Sequence, residues 1–217
     1  MKLDYRSRTF RLVITALMLA LATVLSEMTP IRMPMGGTVT PGSMVPLVLI
    51  GQMYGMGWGF ASCTVYGLVQ MLFGLDNFSY AATLWAVIAI ALFDYLAAFG
   101  IIGLSAVTRK IRNRPVAAAL AGLIAGIGRF VCHFLSGVTV WNEWVDVTAL
   151  PASLQDTWLA KGDALIYSYS FFYNGATMLP EIIITVILSA IVWGALSAGL
   201  KINPAEEGKK LKGDSAE

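Results

Sequence analysis

The chain has 217 residues, 57% of them hydrophobic and only 13% charged, where a soluble domain carries about 25% charged residues. This deficit excludes an ordinary water-soluble domain, and a formal net charge of +2 excludes a strongly basic face for nucleic acid. No Walker, dinucleotide-fingerprint, G-x-S-x-G or H-E-x-x-H motif occurs, so any ATP that drives this protein must be bound by another chain.

The first apolar segment covers 10–28, behind Lys2, Arg6, Arg8 and Arg11. The residues after it, "SEMTPIRMP", offer no small-x-small cleavage site, so it reads as a retained membrane span rather than a signal peptide. Within it Ala16 and Ala20 stand four apart, a small-x-x-x-small spacing that lets a second helix approach. Residues 33–75 contain no charge. That is too long for one span and suits a loop followed by two shorter helices, 43–57 and 58–75, turning at glycines 51, 55, 57 and 59. A fourth span covers 81–106 and is interrupted by Asp94. A fifth covers 115–140 and holds Arg129 and His133. A sixth covers roughly 176–200, wholly uncharged from 182 onward.

Twelve of the fifteen basic residues fall at the N-terminus, between spans four and five, and at the C-terminus. The positive-inside rule places all three regions in the cytoplasm, which requires the even span numbers found between them. The expectation is an all-α integral membrane protein of six transmembrane helices with both termini cytoplasmic. It forms one domain over 1–205, followed by a charged, disordered tail at 206–217. Loops 29–43, 74–82 and 141–175 then lie outside. Cys63 and Cys132 sit far apart in apolar runs and read as buried thiols, with no metal site implied.

Charged groups inside a span are costly and point to function by default. Asp94 can face a cationic or amine-bearing ligand, or pair with Arg129. Arg129 and His133, at i and i+4, share a helix face. Trp141, eight residues beyond His133, can line the same cavity or anchor at the membrane interface. His133 can also serve an interhelical hydrogen bond. In "YSYSFFYNGATMLPE", Asn174 can offer a donor and an acceptor to a ligand or cap a helix that starts there. Glu181 lies seven residues on, its role open. Arg129 reads as a structural partner of Asp94 or Glu181. A carboxylate, an imidazole, an amide and several aromatic rings together suit a flat, nitrogen-rich, cationic molecule.

With these residues in place, the chain resembles the thiamine-specific substrate-binding subunits (S components) of energy-coupling factor transporters, from the first span to about residue 200. "GRFVCHFLSGVTVW" and "YSYSFFYNG" carry the likeness most specifically. "DYLAAF", "GSMVPLVL" and Ala16-x-x-x-Ala20 add to it. The resemblance implies six helices around an outward-facing pocket, partly closed by the loop between spans one and two. It implies that Asp94 pairs with the ligand's charge or nitrogen edge, that Tyr95, Tyr169 and Asn174 hydrogen-bond it, and that His133 and Trp141 pack on its rings. Tyr66 stands where the family has a tryptophan of the third span. A further family tyrosine has Tyr80 or Trp85 as its counterpart, and Asp94 replaces a frequent glutamate. Ala16 and Ala20 would contact the transmembrane coupling subunit, which joins two ATPases. The implied protein is a non-enzymatic thiamine uptake subunit in a prokaryotic cell membrane, surrounded by lipid, with no cofactor and no nucleic-acid partner. An S component for another vitamin or thiamine precursor is the alternative. A small intramembrane enzyme using Asp94, His133 and Glu181, or a self-sufficient secondary transporter, is the alternative from another class.

Overall fold

The computed structural model describes residues 7–33 and 37–200. The basic residues at 2 and 6, the C-terminal lysines and the expected tail at 206–217 lie outside the described residues. Helix α1 (Arg8–Glu27) starts at Ser7, whose Oγ accepts from the Phe10 N–H at 3.1 Å. Only Thr15 and Ala22 of α1 are buried, while Leu12, Val13, Leu17, Leu21 and Val24 are exposed. An apolar face of that size turned away from the protein requires lipid or a partner. Ala16 and Ala20 lie on this exposed side. The other side is held to the bundle by Trp58, whose Nε1–H donates to Thr15 Oγ1 at 2.9 Å, and by Arg11 stacked 4.1 Å over the Trp58 ring.

The next connection forms a short hairpin of β1 (Ile31–Arg32) and β2 (Thr38–Val39), with Ile31 opposite Val39. Helix α2 (Met44–Tyr54) is apolar on every face and buried from Met44 through Gln52. At 11 residues it is about 16 Å long, half the ~30 Å hydrocarbon core. It is sheathed by the other helices, the expected place for a helix hydrophobic all round. Of the four glycines expected to mark the turn, the break falls at Gly55, with φ +89°, a conformation L-residues rarely adopt. Helix α3 (Met56–Phe73) follows at once. The sequence boundaries of both short helices thus stand within a few residues of the observed ones.

Helix α4 (Leu84–Ala89), a π-helical segment (Ile90–Leu96) and α5 (Ala97–Leu104) run on into a short 3₁₀ segment to form one rod, Leu84–Lys110. Helix α5 crosses α3 backbone to backbone. A Cβ on Gly103 would lie 2.2 Å from the carbonyl carbon of Gly59. Gly103→Ala is therefore expected to lower the melting temperature of the detergent-solubilised protein, by an overpacking cost of about 1–3 kcal/mol. An unchanged melting curve would show that the two helices can separate freely.

Helix α6 (Arg114–Thr139) opens at Asn113, whose Oδ1 accepts from the Val116 N–H at 3.3 Å. Its buried stripe includes Ala117, Ala118, Ala121, Gly122, Ala125 and Gly126. These small residues let α8 (Ala164–Leu200) lie close, with Ile182 against Gly126 and Thr185 against Gly122, the packing expected of helices in lipid. α6 and α8 form the most extensive helix pair, and both turn large apolar side chains outward, such as Leu123, Ile127, Ile183 and Ile187. Between them lies α7 (Ala152–Leu159), flanked by short 3₁₀ turns.

The fold is mostly helical, and among the described residues four helices are long and apolar enough to cross a membrane: Arg8–Glu27, Leu84–Lys110, Arg114–Thr139 and Ala164–Gly199. The last departs from the sequence reading, which placed its start near 176 and left 141–175 outside as a lid, an extra helix or an ordinary loop. The segment 164–175 is helical because Ser170 and Asn174 bond it to α6 and aromatic residues fill the gap between. Phe171, for instance, meets Phe130 edge-on at 5.5 Å. Cys63 and Cys132 are buried and unpaired.

Candidate functional site

A cavity of about 660 Å³ opens between the π-helical segment, α6, the 141–146 stretch and the first turns of α8. Asp94, Tyr95, His133, Trp141, Tyr169 and Asn174 all line it. The wider π turn interrupts the α-helical register at Asp94, and such interruptions concentrate at functional sites. Asp94 accepts three hydrogen bonds from the α6 side. Ser136 Oγ donates to Oδ2 at 2.8 Å, Trp141 Nε1–H to Oδ2 at 3.0 Å, and His133 Nδ1 approaches Oδ1 at 3.2 Å. The other imidazole nitrogen, Nε2, lies 3.4 Å from Arg129 Nη2. A guanidinium only donates, so Nε2 takes the acceptor role and the hydrogen on Nδ1 points at Asp94.

The structure corrects the role expected for Arg129. No ion pair joins it to Asp94 or Glu181. It reaches Asp94 only through His133, and it stacks 4.5 Å over the Phe99 ring. The i, i+4 spacing that placed Arg129 and His133 on one face also puts the imidazole between the guanidinium and the carboxylate.

Asn174 is not a helix cap. It sits in the third turn of α8, where Nδ2 donates to the Ser170 carbonyl at 2.9 Å and to the His133 carbonyl at 3.3 Å. Ser170 Oγ in turn donates to the Phe134 carbonyl at 2.9 Å. These bonds tie α8 to α6 and occupy the Asn174 amide nitrogen, leaving its oxygen as the residue's remaining acceptor. The Tyr95 hydroxyl donates to the Gly74 carbonyl at 3.0 Å and accepts from Asn77 Nδ2 at 2.8 Å. What it presents to the cavity is mainly its ring. Tyr169 stacks on Tyr173 at 6.1 Å and is met edge-on by Trp158 of α7 at 6.5 Å.

Tyr66 lies apart from this group. It is 1% exposed, its hydroxyl accepts from Gln70 at 2.6 Å, and it lines a smaller adjoining cavity. Of the two counterparts considered for a further family tyrosine, Tyr80 reaches the large cavity, packing on Trp141 at 5.6 Å and Trp144 at 5.0 Å. Trp85 is 62% exposed. Sequence reasoning gave no site role to Ser136, Ser170, Asp146 or Tyr173. The two serines carried a local signal: Ser136 follows His133 by three and Ser170 precedes Asn174 by four, both helical-face spacings. Asp146 had none. Its carboxyl is held below the usual carboxylate range by two bonds from Thr148.

Glu181, whose role the sequence left open, is 3% exposed, and its Oε1 accepts the backbone N–H of Thr40. The hairpin between α1 and α2 is thereby docked onto α8, with Val39 buried and Gly37 against Thr177. The loop expected to close the pocket thus carries a hairpin that lines the smaller cavity.

Among the described residues, the cavity's charges are the carboxylates Asp94 and Asp146 against the guanidinium of Arg129, which is already engaged by His133 and Phe99. With Tyr80, Trp141, Trp144, Tyr169 and Tyr173 around them, the walls favour a flat cationic ligand.

The profile of a family described as thiamine transporter protein (Thia_YuaJ) matches residues 12–151. The thiamine transporter ThiT of Bacillus subtilis (strain 168) is 26% identical over 207 residues, covering 90% of this chain and 96% of that protein. A solved structure of ThiT from Listeria monocytogenes superposes with a TM-score of 0.64 at 21% identity, covering 87% of this chain and 95% of that one. At that identity the likeness shows a shared fold.

Proposed function

This chain belongs to the thiamine transporter protein family, and from that membership we propose that it is the thiamine-binding S component of an energy-coupling factor transporter. It is a multi-pass membrane protein and a transporter rather than an enzyme. The observation that carries the ligand is the Asp94 carboxylate, aimed by three donors into an aromatic cavity with an excess of acid.

Thiamine joins an aminopyrimidine to a permanently cationic thiazolium. Asp94 takes the ligand's positive charge or amine edge. Trp141 and His133 pack against its rings, Tyr95 and Tyr169 close the walls, and Asn174 Oδ1 accepts a hydrogen bond. Tyr66 acts from the adjoining cavity. All six apolar helices are spans, with both termini in the cytoplasm of a prokaryotic cell and the cavity toward the outer face. Helix α2 is the one enclosed by protein rather than lipid. Ala16 and Ala20, on the exposed face of α1, form the contact for the coupling subunit, and two ATPases supply the energy.

Titration of the purified protein with thiamine should quench its tryptophan fluorescence saturably near one to one, because Trp141 and Trp144 line the cavity. The isolated pyrimidine and thiazole halves should compete far more weakly. Absence of quenching by thiamine, or tighter binding of one half, would sink the reading.

A further inference from the structure

Two carboxylates line the large cavity at different depths. The Asp94 side chain is 16% exposed and gives its oxygens to Ser136, Trp141 and His133. Asp146 is exposed, as are Trp144 and Tyr80 of the same lining. Residues that line a cavity and also meet solvent mark its opening. Asp146 therefore stands at the mouth and Asp94 inside.

Asp146 is fixed in place without being neutralised. Its Oδ1 accepts from the Thr148 N–H at 2.9 Å and from the Thr148 hydroxyl at 2.6 Å. Bonds from neutral donors orient the carboxylate and favour its ionised form. Among the described residues no base forms an ion pair with it. Its surroundings add to its sign. The segments around the mouth, 74–82 and 141–163, carry Asp76, Glu143, Asp146, Asp156 and Asp163 against Lys161. Asp146 is the one of these acids that lines the cavity.

A cation approaching this end meets a negative potential, and a cleft with apolar walls concentrates such a field. Charges divide their work by position. One at a rim acts on the association rate and its salt dependence, whereas one that is buried and hydrogen-bonded acts on dissociation. We infer that Asp146 is an entry residue, capturing the cationic ligand at the mouth before its rings reach Asp94. The inference rests on the thiamine reading, which supplies the ligand's positive charge.

Stopped-flow quenching of tryptophan fluorescence by thiamine tests it on the intact protein in a nonionic detergent, with association and dissociation read separately. Asp146→Asn keeps an oxygen for Thr148 and removes the charge. At about 0.01 M salt, where the Debye length is about 30 Å, it should slow association about fivefold and leave dissociation within about twofold. At about 1 M salt, where that length is about 3 Å, variant and wild type should associate at the same rate. Asp146→Glu keeps the charge and should restore the wild-type on-rate. Asp156→Asn removes an acid that is also exposed but lies outside the cavity lining, and should slow association by less than about twofold.

An unchanged on-rate in Asp146→Asn at low salt overturns the inference. So does a loss that persists at high salt, which would mark an altered loop structure, or one matched by Asp156→Asn, which would spread the effect over the surface. A wild-type on-rate that does not fall as salt rises overturns it without any variant. Wild type that shows no quenching by thiamine overturns the thiamine reading as well. Saturable binding with an on-rate indifferent to Asp146 overturns the capture role only.

Discussion

Asp94→Asn is expected to weaken thiamine binding at least about a hundredfold, the largest effect of any isosteric change in the cavity. Removing one partner of a buried, hydrogen-bonded charge pair costs about 2–5 kcal/mol, and about 1.4 kcal/mol is tenfold in affinity. Three donors converge on this carboxylate: Ser136 at 2.8 Å, Trp141 at 3.0 Å and His133 at 3.2 Å. An asparagine amide keeps the shape but turns an NH₂ toward at least one of them. It also removes the negative charge that a cationic ligand requires. Asp94→Glu keeps the charge and lengthens the arm by one methylene, toward the residue the family often carries there. It should retain much of the affinity. Calorimetric titration separates the outcomes, with a melting curve to show that each variant is folded. An Asn variant within threefold of wild type would remove Asp94 from the site.

Trp141→Ala should cost nearly as much, about 2–4 kcal/mol or 30- to 1,000-fold in affinity, the range of buried tryptophan anchors at binding sites. Trp141 acts in two ways. Its Nε1–H helps aim Asp94, and its ring forms an aromatic wall with Tyr80 at 5.6 Å. Trp141→Phe divides these roles, keeping a ring and removing the donor. Its expected loss is about tenfold, roughly one hydrogen bond to a charged group. If Phe and Ala lose affinity equally, the ring contributes nothing and Trp141 serves only to orient Asp94. Calorimetry is the suitable readout, because the substitution also removes part of the fluorescence signal. Trp144→Ala gives the contrast. Trp144 is 55% exposed and packs on Tyr80 without reaching Asp94, so its loss should be several-fold smaller.

Legibility in the sequence followed the range of the interactions involved. The break between α2 and α3 was visible because Gly55 is a local necessity, a positive-φ turn between two apolar runs. The start of α8 was missed by about twelve residues. The tyrosine- and serine-rich stretch has no long apolar run, and it is helical through bonds to α6 that no local pattern displays. Asp94, His133 and Trp141 stood out singly as expensive residues in apolar segments. The sequence did not show that they meet, since Asp94 lies 39 residues from His133 and 47 from Trp141.

Arg129 and Glu181 mark the boundary most clearly. Each was conspicuous as a charge inside a span, and pairing Arg129 with an acid was the economical reading. The folded helices instead place His133 between Arg129 and Asp94, and give Glu181 Oε1 to a backbone N–H 141 residues away.

By itself the sequence determined that this is a helical membrane protein, where most of its helices run, and which polar residues call for a special environment. Those properties depend on composition and spacing along single segments, where the cost of burying a charge in hydrocarbon can be read residue by residue. Only the tertiary structure decided the partners. The π-helical turn presents Asp94 to α6, the bonds of Ser170 and Asn174 seat α8, and the hairpin closes onto Glu181. Hydrogen-bond pairing depends on distances of a few tenths of an ångström between distant segments, and only the packing of the helices sets those distances.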